Sequence, residues 1–379
     1  MTTRTKIISF IFLAFTFSFC NKQKIINQKN TPILTVNLEK KSKVSIFDLF
    51  KKIEIIPLET TKDDLIKSIS KIEYYNQKYY VLDRETSSLF CFDMNGNYMG
   101  NIGQMGKGPE DYYSAYDFLI DKNNNTIVIL SQIGSMYFYD LAKRKLTDKV
   151  QLKNGPSNYQ RFAMLNDDIF VFFTFSLEEK SQLFLFSRKQ NRFINSFFKE
   201  NETLSLFSNM VFYTFDDKVF FSKPFDNNIY TITESGMDIS YTWNFENMNM
   251  NIKNFNLPSG RDERISKLLE MLQNSQLNSV CDVQCQTNDY YYTRLLRDLE
   301  HTLHIFYNKK TNQALVFEKF TEDVFFYPVY WNNDFVIATS SIYSKKNAIN
   351  QKILDEENYQ KLNHILEDDN PYIIKYMIN

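Results

Sequence analysis

The sequence predicts an all-β fold, a six-bladed β-propeller whose blades are four-stranded antiparallel sheets. One observation is a repeated unit of apolar strand, polar turn and second apolar strand, as in residues 79–83 followed by residues 89–93. A second is the period: the last residues of four successive units, Asp93, Asp140, Ser187 and Thr233, lie 47, 47 and 46 residues apart. A period of this length, built from strands and hairpin turns, is typical of propeller blades.

The strand pattern places five complete blades at residues 68–103, 116–152, 160–199, 210–245 and 280–320. A sixth blade begins near residue 325 but supplies only three strands, the third at residues 371–378. The strand-like segment 52–59 precedes the first blade and belongs to none. We expect it to form the outer strand of blade six. Strands from both termini would then close the ring and leave no exposed sheet edge between them.

Two segments interrupt the period, and each predicts a helical insertion. Residues 246–279 carry apolar residues at the i, i+3, i+4, i+7 spacing of an amphipathic helix, and residues 342–370 carry a looser apolar stripe. With strands A to D counted from axis to rim, the D–A and B–C connections of every blade share one face. The first insertion is a D–A connection and the second a B–C connection. Both helices, and the long loop 103–115, should therefore lie on one face, here named the elaborated face; the opposite one is the plain face.

The N-terminus predicts a secretion signal over residues 1–19. Arg4 and Lys6 precede an apolar stretch of 13 residues, which is too short to span a bilayer and suits a signal peptide. Cys20 follows where bacterial lipoproteins carry their lipidated cysteine, although Phe19 is larger than the residue usual before it. A plain signal peptide is the alternative.

After the signal, residues 20–44 are rich in Lys and Asn, which predicts a lipidated cysteine and a flexible tether. Residues 45–379 then form the propeller. Removal of residues 1–19 leaves 42 basic and 45 acidic residues with no basic tract, so a nucleic-acid partner is not expected. The predicted partner is the membrane, reached through the lipid.

A family resemblance rests on residues 102–112, Ile-Gly-Gln-Met-Gly-Lys-Gly-Pro-Glu-Asp-Tyr. They resemble the G-x-x-G-x-G-P-G-E-F turn of NHL-type propellers, although the glycine that follows the proline in that pattern is missing here. Together with residues 48–60 and 79–84, they make the chain similar to the six-bladed β-propeller lipoproteins common in Bacteroidetes. The resemblance implies an exported, lipid-anchored protein. Surface lipoproteins of that group resemble one another in acidic residues after the cysteine, so Lys22 and Lys24 favour the periplasmic side.

The sequence offers few residues for catalysis or metal binding. Of its three histidines, His301 and His304 lie three apart at a strand start and should point to opposite faces. Asp282 is the one carboxylate expected on the inner strands. Cys281 and Cys285 should share a strand about 13 Å apart, too far for a disulfide, and with Cys91 are predicted to be buried thiols. No catalytic residue, metal or cofactor is predicted.

The elaborated face holds the candidate binding residues. Arg84, Lys223 and Arg297 each follow a B strand, and the loop 103–115 contributes three more candidates, Lys107, Tyr112 and Tyr113. Aromatic and basic groups around a propeller mouth can stack on sugars or bind acidic groups. The sequence therefore predicts a non-catalytic envelope binding module for a protein, peptide or glycan. The alternatives are a metal-dependent lyase or hydrolase of the NHL-like or lactonase-like propeller type, and a structural subunit of an envelope assembly.

Overall fold

The structure is a computed structural model that describes residues 31–62, 65–174, 182–197, 210–223, 225–250, 252–277, 280–298, 301–324, 326–340 and 349–379. Its first elements are β1 (Ile33–Thr35), α1 (Ile46–Leu49), β2 (Phe50–Pro57), β3 (Lys71–Tyr75), β4 (Lys78–Asp83), β5 (Ser88–Asp93), β6 (Tyr98–Asn101), β7 (Asp117–Asp121), β8 (Thr126–Leu130), β9 (Ser135–Asp140) and β10 (Leu146–Gln151). Then come β11 (Tyr159–Met164), β12 (Ile169–Thr174), β13 (Leu183–Ser187), β14 (Arg192–Phe197), β15 (Phe212–Phe215), β16 (Lys218–Phe221), β17 (Asn228–Thr233) and β18 (Gly236–Asn244). The last are α2 (Arg261–Gln273), β19 (Val280–Gln286), β20 (Tyr290–Leu296), β21 (Thr302–Asn308), β22 (Ala314–Phe317), β23 (Pro328–Trp331), β24 (Phe335–Thr339), α3 (Glu356–Asn363) and β25 (Tyr372–Ile378).

The described strands form six sheets arranged as a ring, which confirms the predicted six-bladed propeller. Blades I, II, III and V are the meanders β3–β6, β7–β10, β11–β14 and β19–β22. Blade IV is β15–β18 with β1 added at its outer edge, and blade VI has the order β2-β25-β24-β23. The innermost strands β3, β7, β11, β15, β19 and β23 are the first of each blade and surround the axis. The predicted closure is also confirmed, because β2 pairs antiparallel with β25, with Ile55 opposite Ile374.

Each blade is packed on both sides, which explains the continuous apolar runs in the sequence. In β12 every residue is buried. Val171 and Phe173 pack with blade IV, whereas Phe170 and Phe172, on the other side of the same strand, pack with blade II. A strand that is covered on both faces has no position where a polar side chain reaches water, so it does not show polar alternation.

The helical insertions lie in the segments of the chain that the sequence predicted. Helix α2 belongs to the D–A connection between blades IV and V, and α3 belongs to the B–C connection of blade VI. Asp355 caps α3 by accepting a hydrogen bond from the backbone N–H of Asn358. The Asn358 side chain in turn accepts from the Ile55 N–H at 2.7 Å. Helix α3 therefore covers part of the outer edge of the closing strand β2.

The N-terminal part of the described chain differs from the prediction. Residues 31–44 were expected to continue the flexible tether, yet β1 pairs in parallel with β18, and Leu34, Val36 and Leu38 are buried. Farther along, the Ser42 N–H donates to Val316 at 2.7 Å. The segment 31–49, here named the N-terminal strap, crosses the rims of blades IV, V and VI. The propeller domain thus begins near residue 33 and not at residue 45, because alternate apolar residues of the strap fill grooves along the rim.

The predicted signal peptide, the lipidation site Cys20 and the first part of the tether lie outside the described residues. Within the described residues, no helix has the length and apolar character needed to cross a membrane.

Candidate functional site

Large apolar side chains are exposed mainly on the elaborated face. The described residues include ten large hydrophobic side chains that are exposed, and six of them lie in D–A or B–C connections: Leu65, Met105, Tyr113, Ile133, Leu269 and Leu366. Tyr113 is 63% exposed and Leu366 62%. Of the other four, Ile33 and Phe47 lie on the strap, and Met94 and Met99 lie near the C–D turn of blade I. The exposed large hydrophobic side chains of the described residues are thus concentrated on the elaborated face.

Two arginines lie at the mouth of the central channel on this face. Arg84 follows β4, and its Nε donates to the backbone oxygen of Tyr116 at 2.6 Å, with the guanidinium 4.9 Å from the centre of the Tyr116 ring. The Tyr116 hydroxyl donates to Gln160 Oε1 at 2.9 Å, and Arg161 Nη1 donates to the Gln160 backbone oxygen at 2.7 Å. Residues 116, 160 and 161 belong to the elaborated-face ends of two inner strands. Arg84 and Arg161, here named the arginine pair, therefore belong to one network across blades I to III.

The arginine pair has an unusual electrostatic setting. Both side chains are partly buried. Burial lowers the pKa of Arg84, and the nearby Arg161 guanidinium lowers it further. In the described part of the chain, both guanidinium groups donate to neutral backbone carbonyl oxygens, and no carboxylate lies within ion-pair distance of either. Two cations thus lie close together without a direct counter-ion.

Below the arginine pair, Asp117 joins the inner strands of three blades. Its Oδ1 accepts from Lys71 Nζ of blade I at 3.0 Å, and its Oδ2 accepts from the Phe162 N–H of blade III at 3.1 Å. The side chain is 1% exposed. Lys71 also lies 3.6 Å from Glu73, whose pKa burial raises. These groups satisfy one another and fix the ends of the inner strands that carry the arginine pair.

Not all of the predicted binding residues can reach a ligand. Tyr112 is 1% exposed, and its ring packs 6.2 Å from Tyr137 and 6.3 Å from Tyr139, measured between ring centres. The prediction that Tyr112 binds a ligand is therefore corrected: it supports the loop from below. The adjacent Tyr113 points outward, and its backbone N–H donates to the Tyr137 hydroxyl at 3.1 Å.

The glycine-containing part of the loop binds its own carboxylate. Asp111 Oδ2 accepts from the Gly108 N–H at 2.6 Å, and Oδ1 accepts from the Gln104 side chain at 3.0 Å. A Cβ atom on Gly106 would lie 2.2 Å from Asp111 Oδ2, so a side chain at this position would require the carboxylate to move. Asp111 thus fills the space where an external anion would bind. Lys107, in the same loop, is exposed to solvent.

The other predicted cations lie in different blades. Lys223, in the B–C connection of blade IV, lies 3.6 Å from Asp226, and both side chains are mostly buried. Arg297 follows β20 in blade V, and its backbone N–H donates to His301. The structure brings Arg84 together with Arg161, which sequence reasoning missed. The two arginines are 77 positions apart in the sequence, and only the ring of blades brings them into one network.

The described residues contain no group of three or more His, Cys, Asp or Glu arranged to hold a metal ion. Asp282 is buried and accepts from Arg294 Nε at 2.8 Å. His304 is buried beside the Tyr292 hydroxyl, whereas His301 is exposed beside Asp298. The two histidines therefore do not form a common site.

The three described cysteines, Cys91, Cys281 and Cys285, are buried free thiols, as predicted. Cys281 and Cys285 share β19. Burial raises the pKa of Cys281 to about 12, so its thiol stays protonated near neutral pH.

Solved structures with this architecture include a Bacteroides fragilis protein named as an exported protein. It has 18% sequence identity and a TM-score of 0.71, over 92% of this chain and 99% of the other. A member of the duf4221 family from Bacteroides vulgatus has 9% identity and a TM-score of 0.50, over 86% of this chain and 98% of the other. At these identities the similarity shows the fold alone.

A search of curated proteins found no match. The family model described as "Domain of unknown function (DUF4934)" matches residues 29–377. The match extends from the N-terminal strap to the last strand of blade VI and so includes every blade. The chain belongs to the DUF4934 family.

Proposed function

We propose that this protein is a non-catalytic binding module of the cell envelope and that its elaborated face binds a protein partner. The observation that carries the proposal is the concentration of exposed large apolar side chains on that face. Exposed apolar groups clustered on one face of a soluble domain are typical of docking surfaces, because their burial against a partner is favourable. The plain face, in its described turns, consists mainly of short polar hairpins such as residues 122–125.

The arrangement of the apolar groups supports a protein partner. Leu366, Leu65, Tyr113 and Ile133 come from connections of blades VI, I and II, which are consecutive around the ring. The arginine pair lies inside this arc at the channel mouth. Apolar and aromatic residues beside arginines are the composition of protein interfaces, in which arginine and tyrosine carry much of the binding energy.

We further propose that the protein is exported and anchored by a lipid on Cys20, as the signal-like N-terminus and the resemblance to NHL-type propeller lipoproteins suggest. The strap supports this proposal geometrically. The Thr242 N–H of blade IV donates to the Pro32 oxygen at 3.0 Å, so the chain joins the propeller at the rim. The eleven residue-to-residue steps from Cys20 to Thr31 span at most about 40 Å. A tether attached at the rim leaves the elaborated face accessible.

Two other functions have less support. A permanent structural contact through α2 would need an exposed apolar helix face. Leu268, Met271 and Leu272 are instead buried against the propeller. Of these four apolar residues of α2, Leu269 is exposed. A metal-dependent reaction would need converging ligands, and Asp282 is instead bound to Arg294.

The proposal is tested by photo-crosslinking in cells that produce the full-length chain. A benzophenone amino acid replaces Tyr113 on the elaborated face, or Lys143 in the C–D turn of blade II on the plain face. We expect a discrete protein adduct from position 113 and none from position 143. The adduct should weaken when Met105 and Ile133 are both changed to serine. Equal labelling from both positions, or labelling from position 143 alone, would contradict the proposal.

A further inference from the structure

We infer that the arginine pair, Arg84 and Arg161, binds a carboxylate group that the ligand of the elaborated face presents. The inference deepens the proposed function by naming the chemistry recognised at the channel mouth. It rests on that proposal for the identity of the binding face, but it is testable without the partner.

Hydrogen-bonding capacity is the first argument. A guanidinium carries five N–H donors. Arg84 uses its Nε–H on the Tyr116 oxygen, and Arg161 uses one N–H on the Gln160 oxygen. Within the described part of the molecule, no side-chain oxygen or nitrogen accepts a hydrogen bond from either guanidinium. The remaining donors are available to a ligand at a partly buried position, where a charge-assisted bond is stronger than on open surface.

The second argument is electrostatic. Placing two cations close together in a partly buried site is unfavourable unless an anion compensates them. The buried carboxylates of the same region are already engaged. Asp117 binds Lys71 and the Phe162 N–H, and Asp83 accepts backbone N–H groups, including those of Lys67 at 2.8 Å and Glu85 at 2.9 Å. The Asp117 charge stabilises the cationic form of Arg84 only in part, since the pKa of Arg84 stays lowered, and a bound anion would complete the compensation.

The third argument selects a carboxylate among anions. The planar guanidinium fork suits both carboxylate and phosphate. A protein partner, which the proposed function assigns to this face, presents carboxylates through its own Asp and Glu side chains, whereas it presents phosphate only after modification. The carboxylate can come from an acidic residue of a polypeptide or from a sugar acid.

The test measures binding of small probes to the mature full-length chain by isothermal titration calorimetry. N-acetylglutamate and galacturonate represent the two sources of a carboxylate, N-acetylglutamine and galactose are their neutral counterparts, and methyl phosphate is the competing anion. We expect at least one carboxylate probe to bind and its neutral counterpart not to bind. The better of the two probes identifies the source of the group.

The variants R84Q and R161Q should each weaken that binding at least tenfold, and the double variant should abolish it. R192Q, which removes an exposed arginine on strand β14 of blade III, is the matched control and should bind like the wild type. R84K keeps the charge and should retain part of the affinity, so loss in R84Q with retention in R84K cannot be ascribed to unfolding.

Several results would overturn the inference: no binding of either carboxylate, tighter binding of methyl phosphate than of both, or wild-type affinity in the double variant. If position 113 crosslinks a partner but no carboxylate binds, the face binds ligand and the assignment of the arginine pair is wrong. If carboxylates bind through the pair but position 113 labels nothing, the protein-docking proposal fails instead.

Discussion

Replacing Asp117 by asparagine tests whether the inner strands are held together by side-chain bonds between blades. In the D117N variant, one amide oxygen must serve both Lys71 Nζ and the Phe162 N–H, which the wild-type carboxylate accepts at 3.0 and 3.1 Å with separate oxygens. The amide nitrogen, a donor, then faces one of these donors. We therefore expect the loss of a charge-assisted bond and one buried N–H without an acceptor.

The expected magnitude follows from these losses. A hydrogen bond to a charged group contributes about 1.5–3 kcal/mol and an unsatisfied buried donor costs about 1–3 kcal/mol, so D117N should destabilise by about 3–5 kcal/mol. Unfolding entropy is about 2.1 cal/mol/K per residue. For the roughly 350 residues from Thr31 onward this gives about 0.7 kcal/mol/K. The melting temperature should therefore fall by about 4–7 °C.

The matched control is D121N on the same strand. Asp121 is also buried, but its carboxylate accepts hydrogen bonds from the backbone N–H and the side-chain amide of Asn124, within its own turn. Thermal unfolding followed by circular dichroism should show a decrease of about 1–2 °C for D121N. If the two variants melt within about 1 °C of each other, Asp117 is not the tie between blades that we describe.

Three further predictions concern stability and the buried thiols. His304 is buried with its pKa well below the usual value, so the folded state stays neutral there while the unfolded chain gains a proton below about pH 6.5. Stability should thus fall by about 1.4 kcal/mol per pH unit below that point, or about 2 kcal/mol at pH 5. In urea unfolding, the H304N variant should lack this pH-dependent loss of stability, whereas the control variant H364N should keep it. The N358A variant leaves the Ile55 N–H without its acceptor and should lower the free energy of unfolding by about 1–3 kcal/mol in the same assay. The control variant N363A, at an exposed position, should lower it by less than about 0.5 kcal/mol. Equal losses in the two variants would show that α3 does not secure β2. Burial predicts that a thiol reagent modifies Cys91, Cys281 and Cys285 only after denaturation, and rapid labelling of the native chain would contradict their placement.

The sequence predicts the blades and their closure because these depend on local patterns. Strands covered on both sides appear as apolar runs, and Asp and Asn residues mark the turns; Asp93, for example, accepts from the backbone N–H groups of Asn95 and Asn97. Segment 52–59 was a strand without a blade, and only one blade lacked a strand. That reasoning needed no contact between distant residues.

The strap and the arginine pair were missed because each depends on distant contacts. The strap overlaps the Lys- and Asn-rich segment 20–44, although Leu34, Val36 and Leu38 alternate as in a half-buried strand, and this signal could have identified it. Nothing in the local sequence distinguishes Arg161 from other exposed-looking arginines. Tyr112 and Tyr113 are adjacent aromatic residues of one loop, and only tertiary packing decides that one is buried and the other exposed.

The central claim is that one face of the propeller is the binding face, and a crosslinking map around the whole molecule tests it most directly. A benzophenone amino acid would be placed at one exposed position in each described connection of the elaborated face, each described turn of the plain face, and the strap. We predict that adduct yield is highest at Tyr113, Ile133 and Leu366 and at background level in the plain-face turns. Yields that are highest in those turns or along the strap would contradict the account.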